Sequence, residues 1–241
     1  MLSARRAGEK NVDAKFKSIV KEFVPPVVFS LRRKLHNKLI NLGEKPTQQD
    51  LDIYWDENYA NTLDSWGKGT VWVEIVLIFL TLEGKVLDMA CATGSAIEIL
   101  SKKNSNIDIY GFDISDLLIN IAIEKGIDET KLKVADATVT TYLENEFDYS
   151  YSIGALAHFT LEGINLFLKN AAFYTKKFSF HQIPINKYET DNGWVKYEES
   201  YFQNSTEWWL KKFEKYFSKV DVLESTWTGY ELIGKWFICK K

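Results

Sequence analysis

Three acids in this chain of 241 residues stand where a small ligand would meet them. Asp88 lies in the run Gly84-Lys85-Val86-Leu87-Asp88-Met89-Ala90-Cys91-Ala92-Thr93-Gly94, which reads as a strand, an acid and a small-residue turn entering a helix. Small residues there let a ligand approach the backbone closely. Asp113 ends the next apolar run, Ile107 to Phe112. A carboxylate at that place can accept both hydroxyls of a ribose. Asp136-Ala137 follows the third run and is placed to accept from an adenine amine. Three acids at three successive strand ends suit a cationic nucleoside. Each also has a plainer role: Asp88 as cap of its turn, Asp113 as N-cap of the helix from Ser115, and Asp136 in an Asx turn.

Proton transfer points to two of the three histidines. His158 follows the fourth strand, and His181 is placed at the end of the fifth. Imidazole titrates near neutrality and suits a general base. His36 is assigned to the surface. No paired acids stand at the fourth-strand exit, so chemistry without a metal is expected.

The elements that must position these groups follow from pattern. Strands are expected at 85–89, 107–112, 131–135, 147–152, 177–183, 218–226 and 232–240, with helices near 94–103, 115–125, 160–175 and 205–216. Alternation of this kind means βαβ units, a parallel sheet and helices on both faces. Thr228-Gly229-Tyr230 is too short for a crossover, so the last two strands must be antiparallel. The expected fold is therefore α/β: a Rossmann-like, seven-stranded, mostly parallel sheet with an antiparallel last strand, plus an N-terminal helical extension. Three segments are expected: a basic amphipathic extension over 1–45, a helical lid over 46–83 and the ligand-binding domain over 84–241. The apolar run Val71 to Leu82 contains Glu74, falls short of the ~20 residues of a membrane span, and reads as a buried helix.

The turn Asp88 to Gly94 resembles the first motif of class I S-adenosylmethionine (SAM)-dependent methyltransferases, usually an acid followed by Gly-x-Gly-x-Gly. Asp113-Ile114-Ser115 matches that family's ribose site and Asp136-Ala137 resembles its adenine site. Phe147 to Ser152 resembles its fourth strand, whose end faces the transferred methyl. The resemblance spans residues 84–241. It implies SAM as cofactor, held by Trp66, Asp88, Ala90, Thr93, Gly94, Asp113, Ile114, Asp136, Ala137 and Ser152. More narrowly, the chain resembles bacterial methyltransferases of surface-polysaccharide gene clusters, which pair a Pro-Pro amphipathic N-terminal segment with a Trp-rich stretch before the first strand. One departure stands out: Ala90 and Ala92 replace two motif glycines. Ala is tolerable at the first position if its backbone keeps a negative φ, whereas a second Ala would crowd the methionine portion. The Gly-x-Gly-x-x-Gly spacing of nicotinamide sites is absent.

The acceptor is read from what surrounds the fourth-strand exit. Ser152 to Ala155 stands where amine methyltransferases tend to carry Asn/Asp-Pro-Pro-aromatic, which points to a hydroxyl acceptor. Eight Trp and 15 % aromatic residues suggest an aromatic roof, with Tyr59, Trp194, Tyr201, Asn204 and Trp208 contacting the acceptor. Trp208 and Trp209 cannot both face inward on one helix. The expected reaction is O-methylation of a sugar or glycan intermediate in cell-surface polysaccharide biosynthesis. Alternatives are methylation of a lipid, quinone or secondary metabolite, and a catalytically silent docking protein.

Charge limits the partners. Residues 1–45 carry a net +7 and the remainder −10. So acidic a body argues against nucleic acid, whereas the arm over 15–40 suits peripheral contact with an anionic inner-membrane surface. Two cysteines, Cys91 and Cys239, form no disulfide framework and fit a reducing cytoplasm. Met1 to Lys10 lacks the apolar core of a signal peptide. Oligomeric state is not legible.

Overall fold

The computed structural model describes residues 60, 62, 63 and 70–241, apart from 197–199 and 230. The extension over 1–45 and most of the lid over 46–83 lie outside the described residues.

The first helix, α1 (Val71–Phe79), precedes β1 (Gly84–Met89). Then come α2 (Ser95–Lys103), β2 (Ile107–Asp113), α3 (Asp116–Glu124), a 3-10 turn (Glu129–Lys131) and β3 (Leu132–Val134). β4 (Phe147–Ile153) leads into a second 3-10 turn (Ala155–His158), α4 (Leu161–Tyr174) and β5 (Thr175–Asn186). A small hairpin, β6 (Trp194–Lys196) and β7 (Ser200–Phe202), precedes α5 (Thr206–Phe213), β8 (Lys219–Gly229) and β9 (Leu232–Lys240). The large sheet has the order β3-β2-β1-β4-β5-β9-β8. β1 to β5 are parallel to one another, and β9 runs antiparallel to both β5 and β8. The expected seven-stranded sheet is therefore the one observed.

Capping residues start the helices. Ser115 accepts from Leu118 N–H at the head of α3, Thr160 from Gly163 N–H at α4 and Ser205 from Trp208 N–H at α5. Each cap satisfies an otherwise orphaned donor. Alternation along the strands then splits the core between the two faces of the sheet. Val86, Ile109, Tyr149, Tyr151 and Phe180 pack beneath α1, α2 and α3. Leu87, Met89, Phe112, Ile183 and Phe237 pack beneath α4 and α5.

The run read as a buried helix proves half-buried. Val71, Ile75 and Phe79 are 2 %, 0 % and 0 % exposed, but Val73, Leu77 and Leu80 are 61 %, 65 % and 50 % exposed. Burying the first three contributes roughly 1.5–3 kcal/mol each. Glu74 explains why a charge sits in this run. Its Oε1 accepts from Thr226 N and Oγ1 at 2.5 and 2.6 Å, and its Oε2 from Ser225 Oγ and Trp236 Nε1, both at 2.7 Å. The β8–β9 register shifts between Glu224 and Thr228, and that irregular stretch carries Ser225 and Thr226. One carboxylate thus ties α1 to the last two strands.

No described helix is long and apolar enough to cross a membrane.

Candidate active site

The turn after β1 is held from the neighbouring strand. Cys91 N–H donates to Phe112 O at 2.9 Å, and Gly94 N–H closes back on Cys91 O at 2.9 Å. Ala92 N–H donates to Asp113 Oδ2 at 2.9 Å, while Asp113 Oδ1 accepts from Ser115 N–H at 3.0 Å. Asp113 therefore clasps the small-residue turn to the end of β2. Helix α3 is capped by Ser115, so the cap role considered for Asp113 belongs to its neighbour. Ala135 N–H donates to Asp113 O at 2.9 Å, which brings the β3 exit alongside.

Ala90, Ala92 and Gly94 all adopt left-handed backbone, with φ of 64°, 48° and 73°. Ala90 does not keep the negative φ that would make an alanine easy to accommodate there. The turn retains the shape that glycines normally permit, and two methyl groups bear it at a cost of roughly 1–2 kcal/mol each. Gly94 has no such freedom to change. A Cβ there would lie 2.3 Å from Ile127 Cδ1 and 3.1 Å from Ala122 Cβ.

Above this turn lies a cleft lined by Leu63, Trp72, Asp88, Ala90, Cys91, Ala92, Thr93, Ser95, Ala96 and Ile153. Its two acids are buried: Asp88 is 3 % exposed and Asp113, behind Ala92, 4 %. Burial pushes the Asp88 carboxyl up to about 8, with the charge of Asp113 adding to the rise and the Tyr151 phenol opposing it. The phenol lies against Asp88 without closing a hydrogen bond of ordinary geometry. Burial also raises Asp113, to about 6, against hydrogen bonds from the Ser115, Ala92 and Ile114 backbone. Neither acid forms an ion pair or hydrogen bond with a cation among the described residues. Asp136 is half-buried, and its Oδ1 accepts from Thr138 N and Oγ1, both at 2.8 Å. That is the Asx turn, formed at the β3 exit. Ala137, beside it, is buried and its carbonyl accepts from Asn170. Ile114 is half-buried and Thr93 buried, its Oγ1 3.3 Å from Ser95 Oγ.

Two expected site residues face elsewhere. His181 is fully buried in the middle of β5, because that strand runs on to Asn186 rather than stopping at 183. It packs against Phe167, Phe213 and Phe217. Its neighbours form a chain whose proton directions can be deduced. Thr175 Oγ1 donates to Ala171 O at 2.7 Å, so it accepts from Ser150 Oγ, also at 2.7 Å. Ser150 then accepts from Ser179 Oγ at 2.6 Å, and Ser179 from His181 Nε2 at 2.7 Å. Nδ1 is left to accept from Ser152 Oγ at 2.8 Å. Burial holds the imidazole neutral, lowering it to about 3. His181 is thus a core residue and not a base. The Ser152 hydroxyl, fully buried and spent on His181, faces α4 and α5 rather than the cleft.

His158 ends the 3-10 turn at the exit of β4 and is half-buried. Gly154, with φ of 71°, turns the chain into it. The strand β7 packs against this turn. The aromatic segment after residue 192 therefore does meet the β4 exit, as a hairpin. Three-residue strands are too short to leave a period in the sequence. Of its expected contacts, Trp194 is 40 % exposed and packs edge-on to Phe202. Asn204 is buried, and its Oδ1 accepts from Gly193 N–H at 2.7 Å, so it fastens the hairpin instead of meeting an acceptor. Trp208 is half-buried and stacks on Phe202, while Trp209 is fully buried, so the two rings do take different surroundings. Tyr59, Trp66 and the Tyr201 side chain lie outside the described residues. The sequence did not single out Tyr151 or Ile153. Tyr151 faces Asp88 because β1 and β4 pair in that register, and register has no local signal.

The order β3-β2-β1-β4-β5-β9-β8, with β9 reversed, and a bent small-residue turn at the end of β1 define the class I methyltransferase fold. Residues 86–177 match a family model described as a methyltransferase domain. The chain carries a methyltransferase domain. Among curated proteins, this domain is 34 % identical over 77 residues to phosphoethanolamine N-methyltransferase 3 of Arabidopsis thaliana, covering 31 % of this chain and 16 % of that protein. It is 33 % identical over 90 residues to demethylmenaquinone methyltransferase of Thermotoga maritima, covering 36 % and 39 %. The chain thus spans well under half the length of either relative. Among solved structures, 1,6-didemethyltoxoflavin-N1-methyltransferase of Burkholderia thailandensis, bound to 1,6-didemethyltoxoflavin and S-adenosylhomocysteine (SAH), superposes with a TM-score of 0.58 at 15 % identity. The match covers 75 % of this chain and 82 % of that one. That likeness establishes the fold.

SAM is the cofactor that the methyltransferase domain implies, and the site fits it. Two buried acids lack a cation partner among the described residues, and the cofactor is a cation. Ser95 and Ala96 of the first turn of α2 line the cleft, where a helix N-terminus can offer backbone N–H groups to a ligand.

Proposed function

We propose that this methyltransferase domain transfers the SAM methyl group to a hydroxyl of a small polar acceptor, a sugar or glycan intermediate of cell-surface polysaccharide synthesis. The observation that carries the cofactor half is the pair Asp88 and Asp113, buried at the ends of adjacent strands, with Asp113 bonded to Ala92 in the turn that follows Asp88. Asp113 would take the ribose, Asp136 the adenine amine, and the turn from Ala90 to Gly94 the methionine portion. Bound SAM supplies an activated methyl on a sulfonium. The chain's own task is to align the acceptor and exclude water.

For the acceptor half, His158 is the proposed base. It sits at the β4 exit, under a hairpin that offers the exposed ring of Trp194. With His181 neutral and enclosed, His158 is the remaining histidine among those expected to act. A second reading is transfer to an amine or a quinone-like ring, which the names of the two curated relatives favour. Peripheral membrane contact through 15–40 stays with the first reading, since it suits a lipid-borne acceptor.

Asp113→Ala is expected to abolish SAM binding in calorimetry, and retained tight binding would remove the ribose assignment. His158→Ala should lower turnover by about 10²–10⁴-fold with SAM affinity unchanged. Incubation with methyl-labelled SAM and three acceptor panels separates the readings. Label uptake by nucleotide sugars or glycans supports the first, and uptake confined to ethanolamine phosphates or demethylated quinones supports the second.

A further inference from the structure

Asp88 poses a charge problem that the fold leaves open. It is buried on β1, and among the described residues the groups facing it are neutral or acidic. Asp113 stands on β2, Tyr151 on β4 and the Cys91 thiol on the turn. Lys125 reaches the rim, where it donates to Ser95 Oγ at 3.3 Å. Asp113 can hold its charge, because backbone N–H groups of Ala92 and Ser115 point at its two oxygens. Asp88 receives no hydrogen bond of ordinary geometry, and its phenol neighbour is itself buried and unsatisfied. Two carboxylates on one face of a sheet, buried and without a cation among the described residues, do not both ionise easily.

We propose that Asp88 carries a proton in the free protein and releases it to solvent when SAM binds, so that the site selects SAM over SAH by charge. The inference rests on the reading of the cleft as the SAM site. SAM carries a sulfonium, an ammonium and a carboxylate, and SAH lacks the sulfonium. The sulfonium is the charge that compensates an ionised Asp88. Loss of the methyl removes it, and Asp88 takes a proton back from water while SAH is still bound. One proton goes out when SAM binds and one returns when the methyl is lost, so the protein is unchanged over a cycle. The burial that holds Asp88 at about 8 in the free protein agrees with this order of events.

Calorimetry at pH 7 in phosphate and in Tris, buffers of different ionisation enthalpy, counts the protons. About one should leave with SAM and far fewer with SAH. SAM affinity should rise by up to about tenfold per pH unit below pH 8, and SAH affinity should change much less. In Asp88→Asn the proton release should vanish and the SAM preference over SAH should fall by roughly tenfold. Tyr151→Phe removes the group that favours ionised Asp88, so its SAM affinity should level off at higher pH; this variant serves if Asp88→Asn does not fold. SAM binding without proton release, or equal release with SAH, would overturn the proposal while leaving the cofactor reading intact. Failure of the intact chain to bind SAM at millimolar concentration would overturn both.

Discussion

At Ala90 and Ala92 a methyl group sits where glycine usually turns, at φ of 64° and 48°. Relief of that strain outweighs the chain entropy that glycine adds, which is about 0.4–1 kcal/mol. Ala92→Gly should therefore leave stability unchanged or raise it by up to ~1 kcal/mol in urea unfolding, with SAM bound at least as tightly. Gly94→Ala should do the reverse, losing stability and SAM binding together, because its Cβ would strike Ile127. His181 gives a different signature. Its folded form stays neutral down to about pH 3, whereas an unfolded histidine takes a proton near 6.5. Its contribution is present above that value and is lost as the pH falls from about 6.5 toward 3. His181→Gln should lose stability at pH 7 and flatten that acid slope, measured by urea unfolding across pH. The three acids were legible in the sequence because each stands at or near the end of an apolar run. His181 was misplaced because the sequence hides where β5 ends, and three residues decide whether a side chain stands at a rim or in a core.

Among the elements, α1 illustrates what pattern reveals and what it conceals. Its apolar run announced a helix, but not the exposed stripe of Val73, Leu77 and Leu80. Nor does a lone glutamate in such a run say what it bonds, since its partners lie about 150 residues away. Burial alone would raise Glu74, but hydrogen bonds from Thr226, Trp236 and Ser225 outweigh it and hold the carboxyl below its ordinary range. Glu74 therefore stabilises the fold above its ordinary titration range, and that contribution fades as the pH falls through its depressed value. Glu74→Ala should cost about 1–3 kcal/mol by leaving the Trp236 indole and Ser225 unpaired, and thermal unfolding would register the loss. The hairpin β6–β7 was invisible for the opposite reason. Its order comes from Asn204 and Gln203 side chains reaching back to Gly193 and Asn192, contacts that no periodicity encodes.

Across the molecule the two halves of the proposed reaction are separated along the sheet. The cofactor groups come from the exits of β1, β2 and β3, and the acceptor side from the exit of β4 with the hairpin above it. A ligand on the first set braces three strands and the turn between them. SAM at a hundredfold excess over its Kd should therefore stabilise the fold by about 2.7 kcal/mol, a rise of roughly 5–10 °C in Tm for a chain of this size. Alternating βα units made this framework readable, since they imply a parallel sheet with right-handed crossovers, whereas the order of the strands came from the structure. The acceptor half was not readable, because it is built by loops whose conformation depends on that framework. The chain of hydroxyls from Thr175 to Ser152 runs between β4 and β5. Each member has one proton to give, and the first is committed to the Ala171 carbonyl. The whole row therefore has a single polarity, and the dipoles add. One tautomer of His181, protonated on Nε2, should dominate its nitrogen NMR spectrum at all pH values where the fold persists. Replacing Thr175 by Val, at the far end of the row, would free that ring to adopt the other.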